Sequence, residues 1–211
     1  MKKLKINRMT GFALILVGGL TIAAMAFDDP PVQTKTVVWQ PDAQTTPSIG
    51  PTIEGSSAKL TRSEDTVWIK INTTQLPAGA YTIWAVIFND PSECTGGTGG
   101  FSCGPADVGN ALTVPSVLWA DGGVVDETGV GHFRGAIEEG MPPGFLIPVG
   151  CQCGLVDAEN AEIHAIIRYH GPLSEDPALA ELQLTTPGGG CGAGLFACYE
   201  PQAVRFPFFG D

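Results

Sequence analysis

Three histidines and six cysteines are the residues of this chain best suited to chemistry. Two of the histidines fall within one stretch, Ala161-Glu162-Ile163-His164-Ala165-Ile166-Ile167-Arg168-Tyr169-His170-Gly171-Pro172, and the third lies in Gly131-His132-Phe133. Imidazole ligates copper or zinc, so His132, His164 and His170 are the candidate ligands of a metal centre. The stretch reads as a strand, which puts His164, Ile166, Arg168 and His170 on one face. His164 and His170 are then about 20 Å apart at roughly 3.3 Å per residue, whereas each ligand of an ion lies about 2 Å from it. A straight strand cannot offer both to one ion, and a metal site would have to gather imidazoles from several strands. Arg168 and His170, about 7 Å apart, could instead form a polar cluster with an acidic partner such as Glu162 or Asp157. The plain alternative is that His170 ends the strand and bonds the backbone at the Gly171-Pro172 turn.

The cysteines point to a disulfide framework. Cys94 and Cys103 flank a loop rich in Gly, Ser and Thr, and Cys191 and Cys198 flank a second. Each pair is expected to staple its own loop, which constrains the unfolded chain by about 2–3 kcal/mol. Cys151 and Cys153, in Cys151-Gln152-Cys153, could pair in a tight ring or reach elsewhere. The same spacing can bind metal or exchange thiols, with Cys151 attacking and Cys153 resolving. That chemistry wants a lowered thiol pKa, from a helix N-terminus or basic neighbours. Pro148-Val149-Gly150 and Gly154-Leu155 supply no cation, and Asp157 is the nearest charge.

Other motifs are weak. No His-Glu-x-x-His occurs, and Gly188-Gly189-Gly190-Cys191-Gly192 is not followed by Gly-Lys-Ser/Thr. Asp121, Asp126 and Glu127 lack the carboxylate spacing of a calcium loop and read as turn residues.

The elements that must position these residues are short strands. Thr36–Trp39, Ala58–Leu60, Thr66–Asn72, Val114–Leu118, Gly122–Val125, Gly131–Ile137, Ala161–Tyr169 and Ala203–Phe206 fit strand patterns. Ala80–Phe88 is apolar on both parities, as in a central strand covered on both faces. Asp126-Glu127-Thr128-Gly129 is a hairpin turn. With 28 glycines and 17 prolines as punctuation, the expectation is an all-β, antiparallel Greek-key β-sandwich, disulfide-stabilised, with at most one short helix near 174–184, N-capped by Ser174.

Residues 1–26 read as a signal peptide. Lys2, Lys3, Lys5 and Arg8 precede an uncharged run, Gly11 to Ala26, ending in Ala24-Met25-Ala26. Residues 27–57 are an extended, Pro/Thr-rich lead-in, and 58–211 a single sandwich domain. Cleavage removes four of the 11 basic residues and none of the 22 acidic ones, leaving a charge of −15. Such a chain repels phosphate backbones, so no nucleic acid is expected as partner. No membrane span is expected after cleavage, and the protein is expected to be secreted or periplasmic.

The order of features resembles the Greek-key sandwich of copper/zinc superoxide dismutases and the related chordin-type (CHRD) domains. Leu76-Pro77-Ala78-Gly79 leads into an apolar central strand, a Cys/Gly-rich loop, a hairpin, the strand ending in His170 and a glycine-rich loop before the last strand. The resemblance covers roughly residues 58–206. It implies that fold, and it places His170 at a late copper ligand. The family's His-x-His falls within Tyr81 to Val86, where this chain has Thr82, Trp84 and Val86, so dismutase activity does not carry over. "LPAGAYTIWAVIFNDPSEC" together with "AEIHAIIRYHGP" is also similar to a group of exported bacterial proteins of unknown role.

The functional expectation is a non-catalytic exported β-sandwich that binds a surface partner or glycan, or serves in the cell envelope, with Trp39, Trp68 and Trp119 as exposed aromatics for sugar stacking. A copper- or zinc-binding protein is the alternative, and a thiol–disulfide protein using Cys151 and Cys153 the second.

Overall fold

A computed structural model describes residues 31–40, 50–140, 146–191 and 198–208. The expected signal peptide and the loop 192–197 lie outside them. Among the described residues, ten strands form two antiparallel sheets. They are β1 (Val32–Lys35), β2 (Val38–Trp39), β3 (Ser57–Arg62), β4 (Thr66–Thr73), β5 (Gly79–Phe88), β6 (Pro115–Val125), β7 (Gly131–Glu138), β8 (Leu146–Ile147), β9 (Glu162–Tyr169) and β10 (Tyr199–Phe206). One sheet has the order β1-β3-β4-β7 and the other β2-β10-β9-β5-β6-β8. β7 returns to lie beside β4, and β9 to lie beside β5, the long returns of a Greek key. The expected architecture is therefore what the chain adopts.

Period-two alternation builds the core. Val67, Ile69 and Ile71 of β4 and Tyr81, Ile83, Ala85 and Ile87 of β5 are buried between the sheets, with Ile163, Ala165 and Ile167 of β9 beside them. Each fully buried Ile contributes about 1.5–3 kcal/mol. On the other face of β4, Trp68 and Lys70 are exposed.

Three expectations need correction. The lead-in is part of the core: β1 joins one sheet, β2 joins the other, and Val37 and Ile53 are fully buried. β2 lies within the expected strand Thr36–Trp39, whereas the four-residue β1 is too short for alternation to reveal it. Val114–Leu118 and Gly122–Val125 are one strand. The register against β5 shifts between Ile83 and Trp84, leaving Ala120 as a bulge, so Asp121-Gly122-Gly123 continues the ladder instead of turning. The helix α1 (Pro177–Thr185) is capped by Asp176, whose carboxylate accepts from the Ala178 and Leu179 amides, while the Ser174 hydroxyl accepts from Asp176 N. Pro177 at the first helical position sets that start.

The expected turn at 126–129 is present. Asp126 accepts from Thr128, Gly129 N donates to the Asp126 carbonyl, and Gly129 takes φ 71°.

The outer face of the six-stranded sheet is covered in two places. Short 3-10 turns at Pro91–Glu93, Pro105–Gly109 and Ala111–Thr113 lie in the loop after β5. The helix packs on β5 and β6, where the Trp84 and Trp119 indoles donate to the carbonyls of Pro187 and Leu184. This is why β5 is apolar on both parities.

Candidate functional site

Strands β5 and β9 run side by side with Val86 opposite His164, Trp84 opposite Ile166 and Thr82 opposite Arg168. Their outward residues make one row across the sheet, from the Cys94–Cys103 loop at one end to the Cys191–Cys198 loop at the other. The row holds three adjoining environments.

At the first end, Glu162 is fully buried. Its carboxylate accepts the Ser102 and Cys103 amides, each at 3.1 Å, and meets His164 Nε2 at 2.7 Å. Phe88 and Phe101 enclose the imidazole edge-on. Burial lowers the His164 pKa, and Glu162 opposes that shift only in part. Nearby, the buried Asp107 accepts from the amides of Thr95, Gly96 and Gly104. Two buried carboxylates thus hold the disulfide loop in shape by taking backbone donors that would otherwise be unpaired.

The middle of the row is a cavity of about 420 Å³, within the range of small-ligand sites. Its apolar wall includes Trp84, Val86, Val108 and Ile166, and its polar groups are Gln40, His164, Arg168, Glu200 and Arg205. Arg168 lies over Trp84, with Cζ 4.4 Å from the ring centroid, and is ion-paired with Glu200. Arg205 stands opposite His164 in the β9–β10 register. Burial lowers the pKa of both arginines, yet a guanidinium stays charged at neutral pH. Arg168 Nε, Arg205 Nη1 and Gln40 Oε1 are buried with no hydrogen-bond partner among the described residues. Each such group costs about 1–3 kcal/mol.

At the far end His170 is fully buried. Its Nε2 lies 2.7 Å from Thr82 Oγ1, and its Nδ1 lies 3.1 Å from Cys191 Sγ and 3.9 Å from Cys198 Sγ. Its N–H donates to the Ala80 carbonyl, and its carbonyl accepts from the buried Gln183 of α1. Burial, with the Arg168 charge as a lesser cause, lowers its pKa to about 4.

The predicted residues are therefore distributed rather than gathered. His132 is on the other sheet, exposed, and bonds Asn72. His164 is committed to Glu162, and His170 to Thr82 and the sulfurs, so the three imidazoles share no centre. The polar cluster of Arg168, His170 and Glu162 does not form, because strand spacing separates its members and each has its own partner. Asp157 accepts from Asn160 instead. His170 does not bond the turn through its ring. Of the three tryptophans expected at the surface, Trp68 is 44% exposed, while Trp39 packs against the core and Trp119 is half-buried.

All six cysteines are paired, as Cys94–Cys103, Cys151–Cys153 and Cys191–Cys198. The neighbours of the Cys151–Cys153 sulfurs are neutral: the Ser116 hydroxyl at 3.5 and 3.7 Å and the Asn89 amide at 3.9 Å from Cys153. Three disulfides fit an oxidising, non-cytoplasmic environment, and no helix of the described residues is long and apolar enough to cross a membrane.

Sequence reasoning missed Trp84, Arg205, Glu200 and Gln40. The outward parity of β5 and the partner strand of β9 would have pointed to the first two. It also passed over Gly100-Phe101-Ser102-Cys103-Gly104, which has the Gly-x-Ser-x-Gly spacing. A nucleophile elbow needs a strand-to-helix turn, whereas Ser102 sits in a disulfide loop with no strand before it and its amide tied to Glu162. Compared with known families, curated proteins and solved structures, the chain finds no match.

Proposed function

We propose that this protein is a non-catalytic binding module, exported to the periplasm or cell exterior, whose cavity takes an acidic glycan. The observation that carries the reading is the pair of arginines, Arg168 and Arg205, lining an apolar-walled cavity. Two cations and one anion, Glu200, line it, in a chain whose net charge is −11. An excess of positive charge set against the sign of the whole protein favours an anionic group. Arg168 is held by Trp84 and by its ion pair with Glu200, which limits the freedom its donors would lose on meeting a carboxylate. The apolar wall suits the carbon face of a sugar ring.

Calorimetric titration with oligogalacturonate and with a neutral gluco-oligosaccharide tests this. The acidic oligomer is expected to bind and the neutral one not, with Arg205→Gln weakening binding at least tenfold, about 1.4 kcal/mol. Equal affinity of Arg205→Gln and the parent for oligogalacturonate, or no binding of any uronic-acid oligomer, refutes the reading.

A further inference from the structure

His170, Cys191 and Cys198 bring three metal-ligating atoms within 4.8 Å of one another. We infer that these residues form a thiol-gated site for a soft, filled-shell ion, zinc(II) or copper(I), closed while Cys191 and Cys198 are joined and opened by two-electron reduction. This site is separate from the cavity, and it uses only one of the histidines that sequence reasoning nominated.

The geometry of the ring is what distinguishes this cluster from a histidine lying near a disulfide. A tetrahedral ion with metal–sulfur bonds of about 2.3 Å and a metal–nitrogen bond of about 2.0 Å sets nitrogen and sulfur about 3.5 Å apart, and the two sulfurs about 3.8 Å apart. His170 Nδ1 already lies 3.1 and 3.9 Å from the two sulfurs. Only the sulfur–sulfur separation has to open. The other ring nitrogen faces Thr82 Oγ1 at 2.7 Å. A proton on Nε2, donated to that hydroxyl, leaves the Nδ1 lone pair pointing at the sulfurs. Metal-bound histidines are held by a second hydrogen bond of this kind.

The surroundings keep the ring there. The backbone of His170 is fixed by Ala80 on one side and by Gln183 of the helix on the other. Gly189 has φ 50°, and a Cβ at that position would collide with His170 Nδ1. Only glycine permits both the conformation and the approach. Two soft thiolates and an imidazole select zinc(II) or copper(I) over calcium or magnesium.

The opening step balances with an external dithiol as reductant. One thiolate of the dithiol attacks Cys198 Sγ, the Cys191–Cys198 bond breaks, and Cys191 leaves as a thiolate. The second thiol of the reductant attacks the mixed disulfide, releasing Cys198 and leaving the reductant as its own disulfide. Two electrons reach the protein and two protons accompany them. The ion then displaces the protons from the two thiols.

The test is anaerobic titration of the full chain, oxidised or reduced with dithiothreitol and freed of reductant, with zinc(II) and with copper(I) in separate arms. Metal is counted by mass spectrometry, and cobalt(II) gives an independent spectroscopic readout. The expected result is one equivalent bound after reduction and less than a tenth before it, in at least one arm. Sulfur-to-cobalt charge transfer should be lost in the Cys191→Ser, Cys198→Ser double variant. Thr82→Val should weaken binding 10–100-fold, with its circular dichroism unchanged. Uptake that is the same in the oxidised chain, uptake that survives in the double variant, or none after reduction overturns the inference. None of these outcomes depends on whether the cavity binds an acidic glycan.

Discussion

Replacing Glu162 by alanine removes one carboxylate that serves three donors: the Ser102 amide, the Cys103 amide and His164 Nε2. Left unpaired, each costs about 1–3 kcal/mol. Cys103 is fully buried and His164 nearly so, whereas Ser102 is half-buried and can recover some hydration. The expected loss is therefore about 3–5 kcal/mol, or roughly 10 °C in melting temperature for a domain of this size. Glu162→Gln keeps the volume and one oxygen but turns a donor toward a donor, so about half that loss is expected. Urea denaturation at neutral pH measures the change, provided the slope with denaturant is constant. Hydrogen exchange gives the local readout: the amides of Ser102 and Cys103 should lose protection while those of β4, in the other sheet, keep theirs. The loop stays tied by Cys94–Cys103, but Gly104, Pro105 and Val108 line the cavity, so affinity for its ligand should fall as well. A loss below about 1 kcal/mol for Glu162→Ala, with unchanged exchange at 102 and 103, would refute the assignment of Glu162 as the anchor of this loop.

Other outcomes follow from the same geometry. Burial holds both His164 and His170 below the ordinary histidine value, His170 at about 4. The unfolded chain therefore binds more protons than the folded one between about pH 4 and 6.5, so stability should rise with pH across that window and level off above it, by about 1–2 kcal/mol for His170 after screening; equal urea midpoints at pH 5 and pH 7 would contradict this. Gly122→Ala places a Cβ against the Leu184 carbonyl, so α1 should lift from β6 with a loss of about 1–3 kcal/mol, read by urea melts and by faster proteolysis within 177–185. Asp107→Ala leaves the Thr95, Gly96 and Gly104 amides without their acceptor, and exchange at those three positions should quicken while β9 remains protected.

Much of the fold was legible because alternation is a strong signal on long strands. Val67, Ile69 and Ile71 announced β4, and the doubly apolar run from Ala80 to Phe88 announced a strand covered on both faces. The lead-in was legible only at Thr36–Trp39, which contains β2; β1 spans four residues, and Val37 is buried by partners far away in sequence. The bulge at Ala120 was hidden because Asp121-Gly122-Gly123 has turn composition, and tertiary pairing overrides it. For the site, the six-residue spacing along β9 separated His164 from His170, and the strand's parity grouped both with Arg168. What it could not supply was the neighbouring strand. Arg205, Glu200 and Trp84 reach the cavity through register, and register is set by long-range pairing. The approach of His170 to Cys191 depends on the turn held by Gln183, which no local pattern encodes.

The three cross-links sit one after another along the chain, 94 with 103, then 151 with 153, then 191 with 198, and none encloses another. A polypeptide made from its N-terminus thus finds the mate of each thiol before the next pair has been synthesised. Six thiols released together would have 15 ways to combine, but sequential emergence leaves one choice at each step. Each loop can therefore close without shuffling, before the layers of strands assemble around it.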